Sequence, residues 1–171
     1  MSTQRSRAVW PISTFLAAAL AAESSAAACA KDSWAAFEKK LVAAQTAFQL
    51  QDPAPLQALW SHASDVSLMG AAGGYEVGWD LVGPRLLWVS AATTKGPRND
   101  RVLVRVLGAD LAMIMQIEGI TNLKPDGSPL EVVQLRVTHI ARCEGSEWRV
   151  IHRHADRLQE TRRPEPPAPR P

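Results

Sequence analysis

Leu135–Asp156, LRVTHIARCEGSEWRVIHRHAD, is the stretch of sequence that decides the fold. Apolar and polar residues alternate on either side of a Glu-Gly-Ser-Glu turn, a pattern that predicts a β-hairpin. Side chains at alternate positions of a strand share one side of the sheet, so each strand has one largely apolar face. The pattern therefore predicts two long antiparallel strands near the end of the chain.

The register of this hairpin determines which side chains are cross-strand neighbours. If Cys143 lies opposite Trp148, then His139 lies opposite His152, and His154 follows on the same face. The apolar face is therefore expected to form a core near the turn and to carry these three histidines towards its open end.

The preceding sequence predicts three helices and further strands. The helices are predicted over Ser33–Leu50, from Pro53 or Pro55 to Trp60, and over Trp79–Ala92. Within the third, Gly83-Pro84 either starts the helix or kinks it. Two short strands are predicted over Ser64–Met69 and Tyr75–Val77, and four long antiparallel strands over Arg101–Leu107, Leu111–Asn122, Leu130–Cys143 and Glu147–Ala155. Helices set against such a sheet indicate an α+β fold.

The two ends of the chain differ in composition from the predicted domain. Residues 1–30 have the three parts of a secretory signal: two early arginines, an apolar run and small residues with Ala26-x-Ala28 or Ala28-x-Ala30 as cleavage sites. The mature protein is then periplasmic or secreted, and cytoplasmic if this segment is not a signal. The folded domain is expected over residues 31–158, followed by a Pro-rich, disordered tail over residues 159–171.

Composition and motifs exclude several classes of partner. The formal net charge of +2, with no basic run in the domain, argues against nucleic acid binding. No membrane contact is expected after removal of the signal, and no cofactor motif is present. Strand positions His152, His154 and Asp156 span about 13 Å, so no metal site is predicted. Cys143 is interpreted as a small apolar residue, whereas Cys29 is either removed with the signal or a lipidation site.

The order of elements resembles that of the nuclear-transport-factor-2-like superfamily. The segment TNLKPDGSPLEVVQLRVTHIARCEGSEWRVIHRHAD carries most of the resemblance, and Gly78-Trp79-Asp80 at the start of the third helix fits the same pattern. The similarity is to SnoaL-like, ketosteroid-isomerase-like proteins and to the association domain of calcium/calmodulin-dependent kinases. It implies a cone-shaped fold, with three N-terminal helices packed on a curved antiparallel sheet around a cavity.

The resemblance also implies which residues form the ligand pocket. The matching positions are Trp79, Val82, Met113, Met115, Ile117, Gly119, His139, His152 and His154. His139 and His152 are candidates for a general base and acid, since imidazole titrates near neutrality, or they only shape the cavity. The Asp base and Tyr/Asp pair of the ketosteroid isomerases are not matched. Glu118 is expected in a solvated cross-strand pair; if it faces inward it requires a partner, for which Arg136 or Arg105 would serve.

Three hypotheses for the function follow. The first is an exported protein that binds a small, largely apolar molecule in the cavity. The second is a cofactor-independent isomerase or lyase that uses the pair of histidines. The third is a non-catalytic homodimerisation module that pairs through the opposite face of the sheet, with Gln134, Arg136, Thr138, Ile140 and Arg142.

Overall fold

The computed structural model describes Cys29 and residues 31–159. Its three helices are α1 (Lys31–Gln49), α2 (Ala54–Leu59) and α3 (Trp79–Ala91). Its strands are β1 (Ser67–Met69), β2 (Tyr75–Val77), β3 (Arg98–Leu107), β4 (Leu111–Leu123), β5 (Pro129–Glu144) and β6 (Glu147–Arg157). Apart from Cys29, the predicted signal lies outside the described residues, as does the tail beyond residue 159.

The six strands form one curved sheet in the order β2-β1-β6-β5-β4-β3. The α+β prediction is confirmed, and the sheet is not closed into a barrel. It is mixed rather than purely antiparallel, because β1 runs parallel to β6 while all other neighbours are antiparallel. The short β1 and β2 thus extend the four long strands on the side of β6.

Helix α1 packs against one side of the sheet, here called the inner face. Its apolar residues recur every three or four positions, and Trp34, Phe37, Leu41 and Ala44 are buried. On β4 the inner face is formed by the even-numbered positions from Ala112 to Ile120, as the cross-strand partners of the buried β5 residues show. The opposite side, which points away from α1, is called the outer face.

The hydrophobic core fills the inner face near the β5–β6 turn, a region called the closed end. Trp148 packs edge-on against Trp34 with ring centroids 5.2 Å apart, and its indole N–H donates to the Ser33 hydroxyl at 3.1 Å. Val150 and Trp60 are also fully buried here. The other half of the inner face, the open end, has only a small apolar cluster of Leu135, Val137 and Ala155.

A disulfide joins the closed end to the segment before α1. Cys29 and Cys143 are bonded, with Cα atoms 5.6 Å apart and a sequence separation of 114. The interpretation of Cys143 as a simple apolar residue is therefore wrong. Sequence spacing gave no sign of this bond, because only the fold brings α1 across the end of β5.

Helix α3 begins at Trp79 rather than at Gly83. Gly78, at φ 86°, turns the chain into the helix, and its N–H and that of Trp79 donate to the carbonyls of Val66 and Ala63. Pro84 lies inside the helix, where it removes a single intrahelical donor. Among the described residues, no helix is both long and apolar enough to span a membrane.

Candidate functional site

A cavity of about 390 Å³ lies between the helices and the open end of the inner face. Its apolar lining comes from all three helices and from strands β1, β4 and β5 of the sheet: Phe48, Leu56, Leu68, Leu86, Trp88, Val89, Ile120, Val133 and Leu135. The polar lining residues are Gln45, Gln49, Arg85, Thr93, Arg98, Glu118, Asn122, Arg153 and Arg157. Small residues at 70–72 and Ala92 complete it. Trp88 is 61% exposed, so it lies at the mouth of the cavity.

A buried carboxylate forms the polar part of the cavity wall. Glu118 is 1% exposed, and its Oε2 accepts from Arg153 at 2.8 Å and contacts Arg98 at 3.3 Å. Its Oε1 accepts from the side-chain amides of Gln45 and Gln116, each at 3.0 Å. Both carboxylate oxygens are therefore satisfied, as a buried charge requires.

These partners determine the ionisation of Glu118. Burial raises the pKa of this carboxyl, but the positive charges of Arg153 and Arg98 outweigh burial and hold the pKa at about 2. Glu118 is ionised at neutral pH and is a weak base. Its role in this geometry is to hold two guanidinium groups at the cavity wall. The expectation of a solvated cross-strand pair is wrong, and the guanidinium partners of this inward-facing carboxylate are Arg153 and Arg98 rather than Arg136 or Arg105.

His139 lies beside this network and is also buried. Its Nε2 is 3.4 Å from the amide nitrogen of Gln45, and its Nδ1 has no hydrogen-bond partner. Burial, and next the charge of Arg153, lower its pKa to about 3. The imidazole is therefore neutral at physiological pH. It does not line the cavity, whereas Gln45, which it contacts, does.

A one-residue bulge separates the predicted pair of histidines. Ala141 pairs with Val150 as predicted, but Ile140 pairs with His152 and His139 with Arg153, so Ile151 is an extra residue on β6. A bulge of this kind shifts every following side chain to the opposite face. The predicted contact between His139 and His152 is wrong for this reason.

The displaced histidines lie on the outer face. The Nδ1 of His152 is 2.8 Å from the hydroxyl of Ser67, and His154, paired with Thr138, is exposed. In their place, Arg153, Ala155 and Arg157 face inward. The two residues proposed as acid and base therefore occupy opposite sides of the sheet.

Four predicted pocket residues on β4 also lie on the outer face. Met113, Met115, Ile117 and Gly119 pair with Ile140, Thr138, Arg136 and Gln134, which the sequence correctly assigned to that face of β5. The face of β4 was predicted wrongly because both of its faces are apolar near its start. Position 119 favours glycine for a structural reason, because a Cβ there would lie 2.7 Å from the carbonyl oxygen of Asn99.

The two predicted pocket residues on α3 belong to the packing around the cavity. Val82 is fully buried in the core, and Trp79 stacks on the ring of His62 with centroids 3.9 Å apart. Neither borders the cavity. The α3 residues that border the cavity are instead Arg85, Leu86, Trp88 and Val89.

Sequence reasoning missed the charged residues of the cavity. Strict alternation across the position of the bulge places Arg153 on the outer face, and Arg157 lies beyond the predicted end of the strand at Ala155. Arg98 precedes the strand that alternation predicted. Glu118 gave a signal, since a lone carboxylate in an apolar central strand requires a buried partner. Within the described part of the chain, no three His, Cys, Asp or Glu side chains are grouped to hold a metal ion.

Similarity to known proteins is found in structure rather than in sequence. No family model and no curated protein matches the sequence. A Thiobacillus denitrificans protein provisionally described as a calcium/calmodulin-dependent protein kinase type II association domain superposes with a TM-score of 0.60 and 21% identity, covering 73% of this chain and 94% of that one. A ketosteroid isomerase-like protein from Erwinia carotovora atroseptica gives a TM-score of 0.59 and 18% identity, covering 76% and 99%.

A third structure extends the agreement. A nuclear transport factor 2-like superfamily protein from Salmonella enterica has a TM-score of 0.59 and 15% identity, covering 78% of this chain and 99% of that one. This chain has the nuclear-transport-factor-2-like fold. The predicted resemblance is confirmed at the level of fold, and proteins of this fold commonly bind small ligands. At these identities the likeness carries no assignment of activity, because one fold hosts many functions.

Proposed function

We propose that the protein is an exported binding protein that holds a small, largely apolar molecule in the cavity above the open end. The observation that carries this proposal is the cavity itself. Its volume of about 390 Å³ falls within the range of about 300–1,000 Å³ that is usual for ligand sites. Aliphatic and aromatic side chains with a few convergent polar groups line it, which is the usual composition of such a site.

The test is to fill the cavity from α3. Val89→Trp adds an indole to a residue that lines the cavity, whereas Leu87→Trp adds the same group two positions away at an exposed residue outside it. Binding of an apolar fluorescent dye, measured by titration, is expected to be lost in Val89→Trp and kept in Leu87→Trp. Equal binding by both variants would contradict the proposal.

Export is supported by the disulfide between Cys29 and Cys143. Disulfides persist in oxidising compartments and are rare in the cytosol. A mature chain that keeps Cys29 has to be cleaved before it, so only the Ala26-x-Ala28 site enters the proposal. Cleavage at this site would leave Cys29 as the first residue.

Expression of the full sequence in a bacterium with a periplasm tests export. The expected product is periplasmic, with an intact mass that corresponds to cleavage after Ala28 and with no thiol that reacts before reduction. A full-length cytosolic chain with two free thiols would contradict the proposal. The Cys143→Ser variant controls for thiol labelling.

A homodimer that pairs through the outer face is a second proposal. On β3 and β4 this face exposes the apolar residues Val104, Val106, Leu111 and Met115. Exposed apolar patches of this kind commonly mark protein interfaces. One structural neighbour is described as an association domain, a name that refers to assembly, and this agrees with pairing of two copies.

Sedimentation equilibrium at micromolar concentration tests the dimer. Val106→Lys is expected to give a monomer, because it places a charge in the centre of the patch. Leu130→Lys, at an equally exposed apolar residue near the β4–β5 turn, is the matched control and is expected to remain dimeric. A monomeric parent protein would refute this second proposal without affecting the first.

A further inference from the structure

The charges around the cavity are unequal. Four arginines line it, and one carboxylate does so: Arg85, Arg98, Arg153, Arg157 and Glu118. Two further carboxylates pair with these arginines from outside the lining, Glu76 with Arg85 and Asp100 with Arg98. Among residues 31–159, one positive charge is therefore left without an acidic partner.

The excess charge lies on the inner face of β6. Arg157 forms no ion pair within the described part of the chain, and Arg153 donates to Glu118 through one nitrogen only. Because a guanidinium group has five N–H donors on three nitrogens, most of the donors of both residues remain available. Ala155 lies between them and is buried, so no large side chain separates the two arginines on this face.

Apolar side chains lie close to these donors in the cavity. Leu56 of α2 and Leu86 of α3 are buried lining residues on the helix side, and Leu68 of β1 pairs with Arg153 in the sheet. A molecule that fills the cavity therefore meets these apolar side chains and, on β6, guanidinium groups. An amphipathic ligand matches both kinds of surface.

We propose that the ligand is a monocarboxylic acid, whose apolar body lies against the leucines and whose carboxylate is bound by Arg153 and Arg157. This inference rests on the proposed binding function and specifies its ligand class. A carboxylate matches the planar donor fork of a guanidinium group with two parallel hydrogen bonds. Its single negative charge equals the one uncompensated positive charge, whereas a phosphate ester would bring an excess of negative charge.

The experiment compares ligands that share one apolar body and differ in head group. The probes are 2-naphthoate, 2-naphthylmethanol, 2-naphthylmethylammonium and 2-naphthyl phosphate, each titrated by calorimetry against the mature protein at pH 7. The acid is expected to bind about tenfold more tightly than the alcohol, as a charge-assisted hydrogen bond provides. The ammonium compound is expected to bind more weakly than the alcohol.

Variants identify the head-group site. Arg157→Gln is expected to lower the affinity for 2-naphthoate about tenfold and to leave that for the alcohol unchanged. Arg101→Gln removes the same charge from an exposed outer-face position on β3 and is expected to change neither affinity. Because Arg153→Gln alone removes one of the two guanidinium partners of the buried Glu118, the double variant Glu118→Gln with Arg153→Gln tests Arg153 with the pair removed together.

The outcomes separate this inference from the function on which it rests. If acid and alcohol bind equally, or if the phosphate binds most tightly, the monocarboxylate is refuted while the cavity remains a binding site. If Arg101→Gln weakens the acid as much as Arg157→Gln does, the effect is that of overall charge and the site assignment is wrong. If none of the four probes and no apolar dye binds, both proposals fail.

Discussion

The closed and open ends of the inner face are built from the same strands, β4, β5 and β6, but differ in what they bury. At the closed end, Trp148 and Val150 pack into an apolar core that is fixed by a disulfide. At the open end, the strands carry Glu118 and Arg153 under a cavity. Between the two ends lies the bulge at Ile151. One inserted residue thus places Arg153 and Arg157 on the inner face, where strict alternation would place His152 and His154.

This difference separates the main source of stability from the candidate functional site. Apolar burial at the closed end contributes to folding directly. The ion pairs at the open end replace contacts with water, and such pairs contribute little net stability when desolvation is included. The folded state of the charged open end therefore depends on the apolar packing at the closed end.

The largest effect is expected from removal of the main aromatic residue at the closed end. Trp148→Ala leaves a cavity in the core and should lower the free energy of unfolding by about 4 kcal/mol. Trp88→Ala, at the exposed mouth of the ligand cavity, should change it by less than about 0.5 kcal/mol. Urea unfolding monitored by circular dichroism measures both. Similar losses in the two variants would show that the ends do not differ in packing.

A smaller loss of stability is expected from the buried carboxylate at the open end. Glu118→Gln leaves Arg153 and Arg98 without their shared anion and should cost about 3 kcal/mol. Asp156→Asn breaks an exposed pair with Arg136 on the outer face, and its effect should be within the error of the measurement. Equal effects of the two substitutions in urea unfolding would contradict the burial of the Glu118 charge.

The smallest effect is a dependence of stability on pH that arises at the open end. His139 is neutral in the folded protein down to its pKa of about 3, whereas in the unfolded chain it binds a proton below about 6.5. The free energy of unfolding should therefore fall by about 2 kcal/mol between pH 7 and pH 5. Burial also lowers the pKa of His152, which adds to the decrease in the same direction.

Two substitutions assign this pH dependence. His139→Gln should reduce the difference in unfolding free energy between pH 7 and pH 5, and Leu87→Gln, at an exposed apolar residue, should leave it unchanged. Comparison of each variant with itself at the two pH values removes any constant change in stability. An unchanged difference in His139→Gln would mean that its ring is accessible to protons in the folded state.

The sequence by itself determined the elements and the fold. The spacing of apolar residues in α1 and the alternation in β5 are local patterns, and both predict structure because each depends on the geometry of one element. The sequence also correctly predicted which residues lie on the outer face of β5 and that Cys143 lies opposite Trp148 in the β5–β6 hairpin. The resemblance carried by the final hairpin predicted the fold that the structural comparisons support.

Only the tertiary structure decided which residues meet. The bulge at Ile151 has no signature in the alternation, yet it replaces His152 by Arg153 at the cavity wall. The disulfide and the partners of Glu118 join residues far apart in sequence, so no local pattern reports them. A side chain's neighbours depend on the register of the whole sheet, and a shift of one residue reverses the face that each side chain occupies.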